Sequence, residues 1–213
     1  LGPILLRTAL AKSRNVCTVR VAQQIGLPAI VERARQLGIP GEIPEVLAVS
    51  LGSYEASPLT MAEAYTAFAN HGVHTKPRII REIQNSWQEP LVSFEPVTEQ
   101  ARSPQNAYIM SYLLKEVVNA GTATRARVLG RPVAGKTGTS NDEREAWFIG
   151  FSPYLVTSVY VGYDNSAPMG RMETGGRASL PIFINYRKLV DPLYPPNDFT
   201  VPEGVSFARI DAH

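Results

Sequence analysis

One cysteine, Cys17, stands in 213 residues, so no disulfide can form within the chain, and thiol usage says nothing about the compartment. No apolar run approaches the roughly 18 to 20 residues needed to cross a bilayer. Leu1 to Leu6 are too few for a signal peptide and lack its charged start. Charge of one sign is missing too: 21 basic residues face 19 acidic ones, for a formal net charge of +2. With no basic stripe, nucleic acid is excluded as a partner. His71, His74 and His213 have no metal-ligand spacing to Cys17 or to carboxylates, so no metal site is expected. No internal repeat stands out.

What is present is an ordinary globular composition, 44% hydrophobic, sufficient for one domain or a large part of one. Apolar residues at helical spacing predict helices over Leu5 to Lys12 and Val16 to Ile25. Pro28 and the Gly38–Pro40 stop bracket a third. Residues 40–58 read as loop, with the apolar run Val46 to Gly52 placed beside the core. Ser57-Pro58 opens a helix that stops at Gly72. Two short strands, Arg78 to Ile83 and Leu91 to Phe94, flank a polar turn, so 77–99 is expected to project as a hairpin. Ser103-Pro104 opens a long helix ending at Gly121. An antiparallel meander follows from Pro132 to Asp164, then a helix from Ser179 through about Val190. The Pro-rich stretch 192–213 reads as an extended surface tail or linker. The architecture expected is α+β, helices packed on an antiparallel sheet.

The segment Val133-Ala134-Gly135-Lys136-Thr137-Gly138-Thr139 sets a cation and two hydroxyls on one short extended stretch. A polar link, Ser140 to Glu145, and the apolar run Ala146 to Phe151 complete a strand pair. The acidic groups of the link are expected to face water. A lysine beside two hydroxyls can clamp a carboxylate. Gly138 removes a side chain, so that a ligand backbone could approach. The same lysine could instead blunt a sheet edge. Ser13-Arg14-Asn15 lies between the first two helical patterns, where Ser and Asn ordinarily cap or turn. Cys17, among Val16, Val19 and Val21, reads as a small buried hydrophobe rather than a reactive thiolate. His71 and His74 follow a helix end and read as loop or cap residues.

Taken together and in this order, Ser13-Arg14-Asn15 and Lys136-Thr137-Gly138-Thr139 resemble the second and third signatures of the penicillin-recognising serine enzymes. The stretch Thr60 to Gly72 resembles the helix preceding a small hairpin in class A, bifunctional penicillin-binding proteins. Ala146 to Pro153 and Val161 to Asp164 resemble the two strands after the lysine signature, and Gly175 to Phe183 the entry into the last helix. Gly121-Thr122-Ala123 resembles a loop lining the cleft, although a glycine after a helix is expected in any case. Gly175 and Gly176 themselves read rather as a simple turn before the last helix. The likeness covers nearly the whole chain.

The resemblance implies a beta-lactamase/transpeptidase-like fold and peptidoglycan D,D-transpeptidation by serine acyl transfer, the reaction that beta-lactams trap. It implies that Lys136 supplies positive potential, Thr137 and Thr139 hold the terminal carboxylate, and Gly138 lies along the bound substrate. The backbone N–H of Thr139 matches an oxyanion donor. Ser13 matches a proton-relaying hydroxyl. Asn15 matches an amide that contacts the substrate peptide, whereas Arg14 points outward without a role. Partners are stem peptides and beta-lactams, and serine acyl transfer needs no cofactor.

The family's first signature, Ser-x-x-Lys, is missing. No serine here has a lysine three positions later, and Ser111 with Lys115 four positions on is the nearest miss. That pair reads as helix face, not as nucleophile and base. Residues 1–191 therefore read as the C-terminal part of a transpeptidase domain. Its nucleophile-bearing part, a glycosyltransferase domain and a membrane anchor are expected upstream, on the extracytoplasmic side. Beta-lactamases and D,D-carboxypeptidases share the fold and motifs, but the helix–hairpin stretch favours the class A synthase. A chain with the clamp and no serine also fits a non-catalytic penicillin sensor or scaffold.

Overall fold

A computed structural model describes residues 2–208. Three helices open the chain, α1 (Leu6–Ala11), α2 (Asn15–Ile25) and α3 (Leu27–Gln36). α4 (Pro58–Ala69) and α5 (Pro104–Asn119) begin with the same device. Ser57 Oγ accepts from the Thr60 N–H at 3.0 Å, and Ser103 Oγ accepts from the Asn106 N–H at 3.3 Å. In each, proline takes an early position whose N–H has no helical partner.

Between α4 and α5 lie four short strands, β1 (Val73–Thr75), β2 (Glu82–Gln84), β3 (Pro90–Ser93) and β4 (Thr98–Gln100). They form two antiparallel pairs, β1–β4 and β2–β3. The strands are shorter than the apolar pattern predicts, and Ile79 is 98% exposed. A two-stranded ribbon has no second layer to bury such residues against.

The main sheet is β5 (Ala134–Thr139), β6 (Glu145–Ser152) and β7 (Leu155–Gly162), antiparallel in the order β5-β6-β7. Its register runs without a bulge, from Ala134 opposite Phe151 to Thr139 opposite Ala146. Side-chain alternation sends Phe148 and Phe151 to opposite faces. Phe148 packs on Phe183 of α6 (Ser179–Val190), ring centroids 4.7 Å apart. Phe151 packs on Tyr65 of α4 at 5.9 Å. The sheet is thus covered by α6 on one side and by α4 and α5 on the other. Gly150 makes the first packing possible, since a Cβ there would come within 2.6 Å of the Phe183 ring.

Arg187 of α6 is fully buried. Its Nε donates to Asp191 Oδ1 at 2.5 Å, and its Nη2 donates to Ser152 Oγ at 2.9 Å. Pairing and hydrogen bonding together offset the cost of burying this charge.

Several expectations need correction. Val46 to Gly52 does not join the core. Leu47–Leu51 is a 3₁₀ turn without a buried residue, packed beside α2, and Val46 and Leu51 are each 49% exposed. The neighbouring prolines and glycines keep this stretch in a surface loop, where apolar content alone buries nothing. Cys17 is half-buried, not buried. His74 is no loop residue: it lies in β1, 4% exposed, with Nε2 3.0 Å from Glu63 Oε1.

Ser111 is fully buried and donates to Phe68 O at 2.8 Å, while Lys115 pairs with Asp198 at 2.6 Å. Phe199, from the Pro-rich stretch, is 9% exposed and packs on Phe151 at 5.5 Å. No described helix is long and apolar enough to cross a membrane.

Candidate active site

α1 ends in a tight C-terminal turn. The Ser13 N–H donates to Leu10 O at 3.1 Å and the Arg14 N–H to Ala9 O at 2.9 Å. This two-bond pattern is the Schellman motif, whose pivotal position normally holds glycine because φ must be positive. Here the pivot is Ser13, with φ of 51°. A non-glycine residue in this region costs about 1 to 2 kcal/mol. Such strain at a polar residue marks a candidate site.

The turn points the Ser13 hydroxyl at β5. Lys136 Nζ donates to Ser13 Oγ at 2.8 Å and to Thr137 O at 2.9 Å. Burial pushes the Lys136 ammonium down to about 8. Asn15 is the first residue of α2 and is exposed, as is Arg14.

β5 is an edge strand of the sheet. The Ser140 N–H donates to Glu145 O at 3.0 Å in the same register as the ladder. By the two-residue alternation of an antiparallel strand, Gly138 and Lys136 turn their backbone groups toward β6. Thr137 and Thr139 turn theirs to the open edge. The Thr139 N–H therefore faces the space beside Lys136. Thr139 Oγ1 accepts from the Gly175 N–H at 3.1 Å and keeps its own proton to donate.

A third wall comes from the loop after α5. The Thr122 N–H donates to Ala11 O at 3.1 Å, and Lys12 Nζ donates to Ala120 O at 2.5 Å. Thr122 Oγ1 lies 2.6 Å from Thr137 Oγ1. Ser13, Lys136, Thr137 and Thr122 thus form one connected polar group from three chain segments. A lysine cation beside exposed-edge N–H groups and hydroxyls can bind a carboxylate and stabilise an oxyanion.

Gly138 also serves the packing of the sheet. Trp147, its cross-strand neighbour, fills that space, and a Cβ at Gly138 would lie 3.1 Å from Trp147 Cβ. Trp147 in turn packs on Tyr160, centroids 4.8 Å apart. Gly175 does sit in the turn before α6, without a positive φ. It lies flat on the sheet, where a Cβ would come 2.3 Å from Trp147 O and 2.4 Å from Gly138 O. The acidic link is only partly solvated. Asp142 is exposed, but Glu143 Oε1 accepts from the Met172 N–H at 3.0 Å, and Glu145 is half-buried at the start of β6. The Thr122 contact and the Gly175 approach were hidden because no local pattern encodes which backbone a loop lies against. The likeness of Gly121-Thr122-Ala123 to a cleft-lining loop was the one signal for Thr122.

Comparison with known proteins agrees with this geometry. The family described as "Penicillin binding protein transpeptidase domain" matches residues 1–186. Penicillin-binding protein 1A of Neisseria lactamica is 40% identical over 212 residues, covering 96% of this chain and 26% of that protein. Penicillin-binding protein 1A of Aquifex aeolicus is 40% identical over 201 residues, covering 94% and 28%. The crystal structure of penicillin-binding protein 1A from Haemophilus influenzae superposes with a TM-score of 0.88 at 27% identity, covering 95% of this chain and 36% of that one. The chain spans about a quarter of the length of these sequence relatives. With its beta-lactamase/transpeptidase fold, it belongs to the penicillin-binding protein transpeptidase domain family.

Proposed function

We propose that this chain carries the acyl-donor-binding wall of a serine-type peptidoglycan D,D-transpeptidase, the target of beta-lactams. The observation that carries the reading is the 2.8 Å bond from Lys136 to Ser13, set against an open strand edge bearing Thr137 and Thr139. In the complete polypeptide a serine from a Ser-x-x-Lys segment outside residues 1–213 attacks the carbonyl between two D-alanines. Lys136, Thr137 and Thr139 hold the terminal carboxylate in place. The Thr139 N–H stabilises the developing oxyanion, a donor worth about 3 to 4 kcal/mol in such sites. Ser13, bonded to Lys136, relays a proton toward the departing D-alanine. Asn15 contacts the stem peptide. An amine from a neighbouring stem then takes the acyl group.

The nucleophile and the second oxyanion donor both belong to the missing serine, so these residues alone can orient an acyl donor but not form an acyl-enzyme. The reaction acts on cell-wall material outside the cytoplasmic membrane, and a glycosyltransferase domain and anchor belong to the rest of a class A protein.

The test labels two proteins with a fluorescent penicillin: residues 1–213 and the complete polypeptide. Covalent labelling of the complete protein alone is expected. Stoichiometric labelling of residues 1–213 would overturn the assignment of the nucleophile. No labelling of either, with both folded, favours a non-catalytic sensor or scaffold.

A further inference from the structure

The loop joining α5 to β5 is bonded to both flanks of the cleft. On one side the Thr122 N–H and Lys12 Nζ tie it to the end of α1, through Ala11 O and Ala120 O. Gly121 permits this closeness, because a Cβ there would come 2.3 Å from Ala11 O. On the other side Thr122 Oγ1 meets Thr137 Oγ1 at 2.6 Å. Thr122 is exposed and Thr137 half-buried, so the pair sits at the cleft surface.

Each hydroxyl has one proton and two lone pairs. Between the two hydroxyls alone, either threonine can donate to the other. A carboxylate only accepts, so a Thr137 that binds one must spend its single proton on it. The 2.6 Å contact then persists only with Thr122 as the donor. A hydroxyl that accepts one bond is also a better donor in the next.

We propose that Thr122 is a positioning residue of the carboxylate clamp. Its hydroxyl donates to Thr137 Oγ1 and thereby aims the Thr137 proton at the carboxylate of an anionic acyl donor. The inference rests on the transpeptidase reading and adds a determinant of selectivity for acyl donors with a free carboxylate.

The experiment uses the complete polypeptide and two probes, benzylpenicillin and its methyl ester, in which a methyl group replaces the negative charge of the carboxylate. Thr122→Val should slow acylation by the free acid roughly tenfold, the worth of one neutral hydrogen bond. The ester rate should change by less than about twofold. Thr122→Ser, which keeps the hydroxyl, should restore the free-acid rate to within about threefold of wild type. In a Thr137→Val background, adding Thr122→Val should cost nothing further, because the effect runs through the Thr137 hydroxyl. Thermal melts accompany each variant, and Thr122→Ala replaces any Thr122→Val protein that does not fold.

Equal losses on acid and ester, or losses that add in the double variant, would overturn the inference and leave Thr122 a structural tie. Wild-type acylation with an unaffected Thr122→Val also overturns it, alone. A wild type that penicillin does not acylate overturns the transpeptidase reading and this inference with it.

Discussion

Lys136 Nζ and Ser13 Oγ lie 2.8 Å apart, although 123 positions separate them in sequence. The bond joins an edge strand of the main sheet to a strained turn at the end of α1. Both partners carry a cost. Lys136 is a cation moved out of water, and Ser13 adopts a backbone conformation suited to glycine. Neither cost is recovered in packing, which is the pattern of a site rather than of a scaffold.

The pH dependence of acylation tests the charge of Lys136. Burial places its ammonium near 8, below the ordinary 10.5. The cation is present below that value and is lost as pH rises through it. A carboxylate clamp therefore weakens with rising pH, so acylation by a free-acid penicillin should fall on an alkaline limb near pH 8. The methyl ester should lack that limb. A rate that instead rises through pH 8 would mean the neutral amine is the working form, and the clamp role would be wrong.

Removing the cation outright should slow free-acid acylation sharply. Loss of a charge-assisted hydrogen bond costs about 1.5 to 3 kcal/mol, so Lys136→Ala in the complete polypeptide should be roughly ten- to a hundredfold slower. The melting temperature should hold or rise, because a desolvated charge is gone. An unchanged rate in a folded variant sinks the assignment.

Ser13 sets stability against function. Ser13→Gly relieves the positive φ, whereas Ser13→Ala retains it. Denaturant unfolding should find the glycine variant more stable than the alanine variant by about 1 kcal/mol. Both should lose acylation alike, since both lack the hydroxyl that accepts from Lys136. If alanine proves the more stable, the strain at this turn is not real.

Thr139 separates backbone from side chain. Thr139→Ala keeps the N–H at the open edge and loses the hydroxyl, so acylation should fall about tenfold to a hundredfold. Thr139→Pro removes the N–H as well and should be far more damaging. Equal losses in two folded variants would show that this N–H is not an oxyanion donor.

Gly175→Ala probes the loop that covers the end of β5. The new methyl would meet Trp147 O and Gly138 O at 2.3 and 2.4 Å, both backbone atoms that cannot swing aside. Overpacking of this kind costs about 1 to 3 kcal/mol. The variant should melt earlier, and it should also slow acylation, because the Gly175 N–H holds Thr139 Oγ1. A wild-type melting point would show that the loop can lift off the sheet.

Much of the layout followed from local chemistry. Ser57-Pro58 and Ser103-Pro104 announce α4 and α5 because capping needs only a hydroxyl and a ring at adjacent positions. An extended segment, a polar link and an apolar run predicted the β5–β6 pair. The paired signatures around Ser13 and Lys136 named the family. Burial was less legible. Val46 to Leu51 is apolar yet lies outside the core, while Phe199 in a Pro-rich stretch lies within it, because burial depends on what packs opposite. The sequence by itself determined most of the helices, the β5–β7 meander, the signature residues and the lack of a Ser-x-x-Lys motif. Only the tertiary structure decided that Ser13 accepts from Lys136, that Thr122 meets Thr137, and that Gly175 lies on the sheet beside Gly138. Those are contacts between segments distant in the chain, and their distances are set by how helices and sheet pack, which no local run of residues encodes.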